Sequence, residues 1–304
     1  MANPLAIGVD VGGKSIRAAL VDRDGRIERR VKLRTPLVSE TALVSALEEA
    51  IEAVVAPRAR ALGFGIPSTI DRRSGRAVSS VNIPLTDLDL REHMSRRFGL
   101  PTGVDNDANA ATLAEWTFGA GRGTRHLVML TLGTGVGGGL VLDGRPYRGA
   151  VGAGGELGHM VIQYEGPPCH GSCPGHGHLE ALASGHVADA EARRLLGPGA
   201  TAVELVAAAR AGSEASLAAL ALIGRRLGAG IETLVNVFNP EVVVIGGGFA
   251  GAGDLLLEPA REVVRSRALV PGRDLVRIVP AELGPDAGLV GAGLVAFEAL
   301  ERAG

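Results

Sequence analysis

Aromatic side chains, lysine and cysteine are all scarce in this chain of 304 residues. Aromatic residues make up 3% of the sequence, which is too few for a series of platforms on which nucleic-acid bases could stack. The formal net charge is −2, so the composition offers no basic surface either. Two cysteines cannot build a disulfide framework. We therefore expect no nucleic-acid partner and no dependence on disulfides.

Long hydrophobic runs are also missing. The longest run without Asp, Glu, Lys or Arg covers residues 126–142, and it is rich in glycine and short for a membrane span. The first residues reach Asp10 without the basic stretch that opens a secretory signal. These absences predict a cytoplasmic protein with no membrane partner.

Both cysteines and four histidines are concentrated in residues 156–180, which begin and end with the carboxylates Glu156 and Glu180. Four nitrogen and sulfur ligands there have the spacing that one tetrahedral Zn²⁺ requires: His159, Cys169, Cys173 and His178. His170 and His176 are spare candidates, and a glycine-rich loop that holds two thiols without a metal is the alternative. A metal that shapes a loop between two carboxylates suggests a polar small-molecule site.

Three glycine turns each follow a short apolar strand. They lie at residues 12–13, 133–139 and 246–248. Because such turns let several backbone N–H groups approach an anion, two of them could hold the phosphates of one nucleotide, and the third suits a nucleoside. Asp10, beside the first turn, is placed to bind Mg²⁺ directly or through water.

The pattern of strand, glycine turn and returning strand occurs twice. The first copy is predicted at 5–10 and 16–22, and the second at 126–132 and 140–142. We interpret this as a weak internal duplication in which one hairpin opens each of two related domains. Helices are predicted at 41–56, 86–98, 214–237 and 288–300, and a further helix is predicted to begin within residues 104–109 and to run to about residue 118.

Residues 104–109 end a predicted strand and begin a helix. Asp107 could be the N-cap of that helix. Alternatively, Asp105 or Asp107 could be a general base that takes the proton of an attacking hydroxyl, with Asn106 as a ligand of that hydroxyl. The residues alone do not decide between the two aspartates.

In order along the chain, these segments resemble the signatures of the ROK family of sugar kinases and repressors, in the actin/hexokinase/heat-shock ATPase fold group. The matching segments are 10–13, 65–67, 82–84, 106–109, 133–139, 156–159, 179–180 and 246–248. The resemblance covers nearly the whole chain. It implies an α/β, actin/hexokinase-like (ribonuclease H-like) two-domain ATPase fold with mixed sheets and a central cleft. A small domain, 1–115, would be completed by helix 290–304, and a large domain, 116–289, would carry the zinc loop and the adenosine segment.

The resemblance also implies residue roles, with Asp107 as the catalytic base. Implied sugar ligands are Ser68, Asn82, Asn106, Asp107, Glu156, His159 and Glu180. Implied nucleotide ligands are Asp10, Gly12, Gly13, Lys14, Gly133, Thr134, Gly135, Gly137, Gly246, Gly247 and Gly248. His159 would have two tasks, with one ring nitrogen on zinc and the other on the sugar.

The implied activity is transfer of the γ-phosphate of ATP to the 6-hydroxyl of glucose by a homodimer or homotetramer that uses Mg²⁺ and a structural Zn²⁺. Alternatives are a kinase for N-acetylmannosamine, N-acetylglucosamine, mannose or fructose, and polyphosphate as the donor. A sugar-sensing repressor is a further alternative. Family repressors carry an additional N-terminal helix-turn-helix, whereas the first hairpin here begins by residue 5.

The chain departs from the family pattern at four places. Lys14 and Ser15 stand where Thr and Lys are usual, and Ser68 replaces a glycine. The two cysteines are further apart than usual, and His178 replaces a third cysteine. A His₂Cys₂ set remains chemically suitable for zinc. Lys14 adds a cation that either contacts the donor phosphates or faces solvent.

Overall fold

The computed structural model describes residues 4–80, 82–171 and 173–304, which form two α/β units. The first unit contains the chain up to Gly123, Pro146–Gly155 and Pro285–Gly304. The second contains Thr124–Arg145 and Glu156–Gly284. The sequence prediction had assigned 146–155 to the large domain. In the structure the Arg72 N–H donates a hydrogen bond of 3.0 Å to the Val151 carbonyl, which fastens this segment within the first unit.

The elements are as follows in chain order. Up to residue 123 they are β1 Leu5–Val11, β2 Ser15–Val21, β3 Ile27–Arg34, α1 Glu40–Val54, β4 Ala59–Ile66, β5 Ser68–Asp71, β6 Arg76–Ser80, α2 Leu90–Phe98, β7 Thr102–Asn106 and α3 Asp107–Phe118. Next come β8 Leu127–Leu132, β9 Val136–Leu142, β10 Arg145–Tyr147, α4 Leu179–Ala183, α5 Gly185–Leu196, α6 Ala202–Arg210 and α7 Glu214–Phe238. The last are β11 Val242–Gly246, α8 Asp254–Arg267, α9 Gly272–Leu275, β12 Arg277–Pro280 and α10 Ala287–Ala303. Short 3-10 turns cover Leu157–His159, Gly248–Ala252 and Gly284–Asp286.

The two five-stranded sheets share one topology. Their strand orders are β3-β2-β1-β4-β7 and β10-β9-β8-β11-β12. In each sheet an antiparallel hairpin, β1–β2 or β8–β9, is extended by two parallel strands. The predicted mixed sheets are therefore confirmed, and one hairpin opens each sheet, as the predicted internal duplication requires.

Helix α10 lies against the first sheet over a row of three glycines. Gly8, Gly63 and Gly103 are aligned in register across β1, β4 and β7. A methyl group added at these positions would lie 2.4, 2.1 and 2.5 Å from backbone oxygens of α10, namely those of Leu289, Ala292 and Val295. Only glycine lets the helix backbone come this close to the sheet.

The second unit surrounds its sheet with α4–α9. Within it, α7 packs closely on α8, because Gly224 and Gly228 face the carbonyl oxygens of Leu256 and Ala260. Among the described residues, no single helix is long and apolar enough to cross a membrane, and α6 and α7 pass that test only as a pair bent by 118°.

The glycine row predicts a stability effect. Gly63→Ala should lower the free energy of unfolding by about 1–3 kcal/mol, because the new methyl group must push α10 away from the sheet. Chemical denaturation would measure the change. Gly251→Ala is the control, since no atom lies within 4 Å of the methyl group it would add. Equal stability of the two variants would contradict the close packing of α10.

Candidate functional site

The candidate base lies where β7 meets α3. The Asn106 side chain is the N-cap of α3, because its Oδ1 accepts hydrogen bonds from the N–H groups of Ala108 and Asn109, at 2.9 and 3.2 Å. Asp107 is therefore the first helical residue, and the interpretation of Asp107 as the N-cap was wrong by one position. Nδ2 of Asn106 donates a hydrogen bond of 3.4 Å to the Ser68 carbonyl.

Asp105 is fully buried in the same strand. Its Oδ2 accepts a hydrogen bond of 2.5 Å from Nε of Arg148, and its Oδ1 accepts one of 2.9 Å from the Asn106 N–H. Burial raises the pKa of Asp105, while the positive charges of Arg148 and Arg72 oppose the shift. Both carboxylate oxygens of Asp105 are thus held by protein groups. Asp107 is partly exposed, and its Oδ1 accepts a hydrogen bond of 2.9 Å from the Ala108 N–H.

The first glycine turn is fastened by a residue that sequence reasoning did not identify. The buried Thr35 donates its hydroxyl to the Gly12 carbonyl at 2.6 Å and its N–H to the Lys14 carbonyl at 3.3 Å. The Gly12 N–H closes the hairpin on the Ser15 carbonyl at 2.9 Å. Lys14 itself is exposed. The turn therefore has a fixed backbone with a cationic side chain on its outside.

Asp10, the predicted Mg²⁺ ligand, is buried and paired with Arg17. Its Oδ2 accepts hydrogen bonds from Nε of Arg17, at 2.9 Å, and from Nη2. Its Oδ1 lies 2.6 Å from where a methyl group at Gly288 would stand, so it faces the first turn of α10. Burial raises the pKa of Asp10, and Arg17 opposes the shift. Because Arg17 holds Oδ2, contact with a cation, directly or through water, would come from Oδ1.

The second glycine turn is held by the start of α5. The carbonyls of Gly133 and Thr134 accept hydrogen bonds from the N–H groups of Gly185 and His186, at 2.9 and 3.2 Å. Gly137, predicted as part of the turn, lies in β9 and pairs with Thr131.

The third turn lies beside the second. Gly246 ends β11, and Gly247 has a φ of +86°, which favours glycine. A methyl group on Gly247 would lie 2.4 Å from the Leu132 carbonyl, at the end of β8. The second unit therefore brings two of the three predicted nucleotide segments together.

The four predicted metal ligands form one cluster. Their ligand atoms all lie within 4.8 Å of one another. Nδ1 of His159 is 3.2 Å from Nδ1 of His178, and the sulfur–nitrogen distances are 3.6–3.7 Å. Tetrahedral Zn²⁺ with ordinary bond lengths would separate its ligands by about 3.3 Å for two nitrogens and about 3.6 Å for nitrogen and sulfur. The donor atoms therefore have the spacing of a tetrahedral zinc site.

The two spare histidines lie outside this cluster. The ring of His170 packs on that of His186, with centroids 4.2 Å apart, and His176 is exposed. The geometry therefore favours His178 over both as the fourth ligand.

A metal at this cluster would have to compete with protons. Burial raises the pKa of the Cys169 thiol to about 12, and the Glu180 carboxylate and Cys173 add to the shift. Burial and the neighbouring His159 lower the pKa of His178, which keeps its imidazole neutral. A metal bound here would displace thiol protons, so its affinity would fall in acid.

Glu180 links the cluster to the second glycine turn. Its Oε2 accepts a hydrogen bond of 2.8 Å from the Val136 N–H, and its Oε1 is 3.7 Å from Sγ of Cys169. A methyl group at position 135 would lie 2.0 Å from Oε2 of Glu180, so this carboxylate would have to move to admit a larger residue. Glu156, just before the 3-10 turn that ends at His159, is exposed.

Two further predicted sugar ligands lie in the first unit. Ser68 is buried and donates its hydroxyl to the Ser79 carbonyl at 2.7 Å. Asn82 is exposed, and its backbone oxygen lies 3.6 Å from where a methyl group at Gly13 would stand. Asn82 is therefore a neighbour of the first glycine turn.

Comparison with known proteins decides the family. The sequence profile of the ROK family matches residues 6–299. The chain belongs to the ROK family. This ROK protein is 36% identical to glucokinase from Streptomyces coelicolor over 97% of this chain and 98% of that protein.

Solved structures agree. A ROK family glucokinase from Streptomyces griseus, crystallised with glucose and AMPPNP, matches with a TM-score of 0.86 and 32% identity, over 97% of this chain and 99% of that one. The ROK hexokinase from Thermus thermophilus matches with a TM-score of 0.80 and 35% identity, over 98% and 99%. The predicted family and the actin/hexokinase-like α/β fold are confirmed.

Proposed function

We propose that this ROK protein is an ATP-dependent glucokinase, which transfers the γ-phosphate of ATP to the 6-hydroxyl of glucose. The observation that carries the proposal is the similarity, over nearly the whole chain, to glucokinases, one of which binds glucose and AMPPNP. We also expect a homodimer or homotetramer in the cytoplasm, with no nucleic-acid or membrane partner.

Asp107 is the catalytic base in this proposal. A hydroxyl that attacks a phosphoryl group needs a carboxylate within hydrogen-bond reach to take its proton. The pairing of Asp105 with Arg148 leaves Asp107 as the more accessible carboxylate of this segment. Its place at the first position of α3, after the Asn106 cap, gives it a fixed backbone.

In this proposal the ligands of the sugar hydroxyls include Asn82, Asn106, Glu156 and Glu180. His159 has a specific part. If its Nδ1 binds the metal, its Nε2 must carry the ring proton and can donate it to a sugar oxygen. Ser68 already donates its hydroxyl proton to Ser79, so toward the sugar it serves as an acceptor.

The glycine turns bind the nucleotide through backbone N–H groups, with residues 246–248 near the nucleoside. Lys14 adds a positive charge at the first turn. Mg²⁺ would neutralise charge on the donor phosphates, and Asp10 would hold it through Oδ1, directly or through water, while Oδ2 remains paired with Arg17.

His159, Cys169, Cys173 and His178 would hold a structural Zn²⁺. A closed set of four ligands has no open position for chemistry, so such a metal acts through geometry. It would fix the loop between Glu156 and Glu180, and with it the two carboxylates. The contact of Glu180 with the Val136 N–H supports a link from this loop to the second glycine turn.

A substrate panel tests the activity. With ATP, glucose should give a kcat/KM at least about tenfold above those of mannose, fructose, N-acetylglucosamine and N-acetylmannosamine, because the sugar ligands must match its hydroxyl pattern. A coupled assay with ATP or polyphosphate as donor measures this. A clear preference for another sugar would redirect the proposal to that substrate, and no turnover of any sugar would favour a sensor.

The base assignment has its own test. Asp107→Asn keeps the shape of the side chain but removes the base, so kcat should fall about 10²–10⁴-fold while glucose binding is largely retained. Steady-state kinetics and calorimetric glucose titration would measure the two effects. Asp24→Asn, at an exposed position between β2 and β3, is the control. Near-normal turnover of Asp107→Asn would exclude this residue as the base.

The zinc proposal is tested by elemental analysis. About one zinc per chain is expected, because one set of four ligands is present. Cys173→Ser should lose the metal, melt at a lower temperature and bind glucose more weakly, with nucleotide binding better preserved. His176→Ala is the matched control and should keep its zinc, since this exposed histidine lies outside the cluster. A fully active wild-type protein without metal would refute the proposal.

A further inference from the structure

One buried ion pair has no part in the chemistry proposed above. Asp105 is fully buried and Arg148 is 8% exposed, and Nε of Arg148 lies 2.5 Å from Oδ2 of Asp105. Asp105 stands two residues before Asp107, and its other carboxylate oxygen holds the backbone N–H of the intervening Asn106. The pair therefore acts on the backbone that presents the proposed base.

Arg148 reaches a third element with its other end. Its Nη2 lies 3.5 Å from Oε1 of Glu298 in α10, and Oε2 of Glu298 accepts a hydrogen bond of 2.9 Å from Arg72. Arg148 thus joins the end of β7 to α10. Arg72 binds the same Glu298 carboxylate.

The segment that carries Arg148 is itself fixed by its backbone. The Gly154 N–H donates to the Arg148 carbonyl at 2.9 Å, which closes a turn, and the Val151 carbonyl accepts from the Arg72 N–H. This segment, Pro146–Gly155, leads directly into Glu156, one of the proposed sugar ligands. Arg148 therefore lies in the segment that precedes Glu156, and its side chain holds Asp105, which precedes Asp107.

A buried ion pair is an inefficient way to stabilise a fold, because desolvation of the two charges offsets most of their attraction. Such a pair does restrict orientation, because the planar guanidinium binds a carboxylate in only a few geometries. The pair therefore fits a role in orientation better than one in stability.

We propose that Arg148 is a positioning residue for Asp107, acting through Asp105. This inference rests on the proposed function, with Asp107 as the base. The guanidinium holds the Asp105 carboxylate, Asp105 holds the Asn106 N–H, and the Asp107 carboxylate is thereby aimed at the sugar hydroxyl. Removal of Arg148 should misplace the base and slow the chemical step, while ATP still binds.

The test compares Arg148→Met in two backgrounds. In the wild-type background kcat should fall about 10- to 100-fold, as expected for a displaced base, with the KM for ATP changed less than about twofold. In the Asp107→Asn background the same change should lower the residual kcat less than about twofold, because no base is left to misplace. Arg148→Lys keeps the positive charge but lacks the planar set of N–H donors, so its kcat should lie between those of Arg148→Met and the wild type.

Arg302→Met is the matched control, because Arg302 also lies near Glu298, at 3.9 Å, but forms no ion pair with Asp105 in the described part of the chain. Its kcat should stay within about twofold of wild type. Circular dichroism melts would fix an assay temperature at which every variant is folded. If Arg148→Met does not fold, Arg148→Lys is compared in the same two backgrounds, with a smaller loss expected in the first and none in the second.

Two outcomes overturn the inference alone: a wild-type kcat for the Arg148 variant, or an equal loss of kcat in both backgrounds, which would indicate a general structural effect. Near-normal turnover of the Asp107→Asn single variant overturns the base assignment and this inference together. The failure of each proposal is therefore distinguishable.

Discussion

The contact between the α10 backbone and the glycine row of β1, β4 and β7 is the constraint on which the first unit depends. Three aligned glycines let the helix lie directly on the sheet. The position of α10 then sets three other features. Its first turn faces Asp10, Gly291 lies against the Ala110 carbonyl of α3, and Glu298 meets the arginines at positions 72 and 148. The first glycine turn, the helix of the base and the buried ion pair thus share one support.

The carboxylates at the ends of β1 and β7 and at the start of α3 differ in burial and in their partners. Asp10 at the end of β1 and Asp105 in β7 are both buried, and burial raises the pKa of each, so each is found with an arginine that favours its charged form. Asp107, one helical position further on, is partly exposed. A short stretch of chain therefore contains one buried carboxylate that holds the backbone and another that is partly exposed.

Local patterns predicted much of this structure. Apolar runs that end in glycine located both hairpins, and helical spacing located α1, α7 and α10. The helix predicted at 86–98 begins later, at Leu90, because the Asp89 side chain caps it by accepting from the Glu92 N–H at 3.1 Å. The β5–β6 hairpin was missed, since its strands are short and largely polar. The cap of α3 fell on Asn106 because β7 pairs with β4 as far as that residue, which keeps it extended.

The site was predictable only where its residues are close in sequence. The metal ligands lie within one short segment, so their spacing pointed to the cluster. Thr35, Arg17 and Arg148 gave no such signal, because each acts on a partner or a turn that only folding brings near. Segment 146–155 was assigned to the wrong neighbours for the same reason: its bond to Arg72 joins residues far apart in sequence.

Helix α10 is synthesised after every other described strand and helix, although the sheet that it covers begins with β1. While a ribosome is still adding residues 124–284, the groove above Gly8, Gly63 and Gly103 has no helix to fill it. The second unit, by contrast, has all of its strands and helices by residue 284. Domains usually fold in the order of their synthesis. Here the unit that starts first finishes after the second unit, so chaperones would meet an open first sheet until α10 has been synthesised.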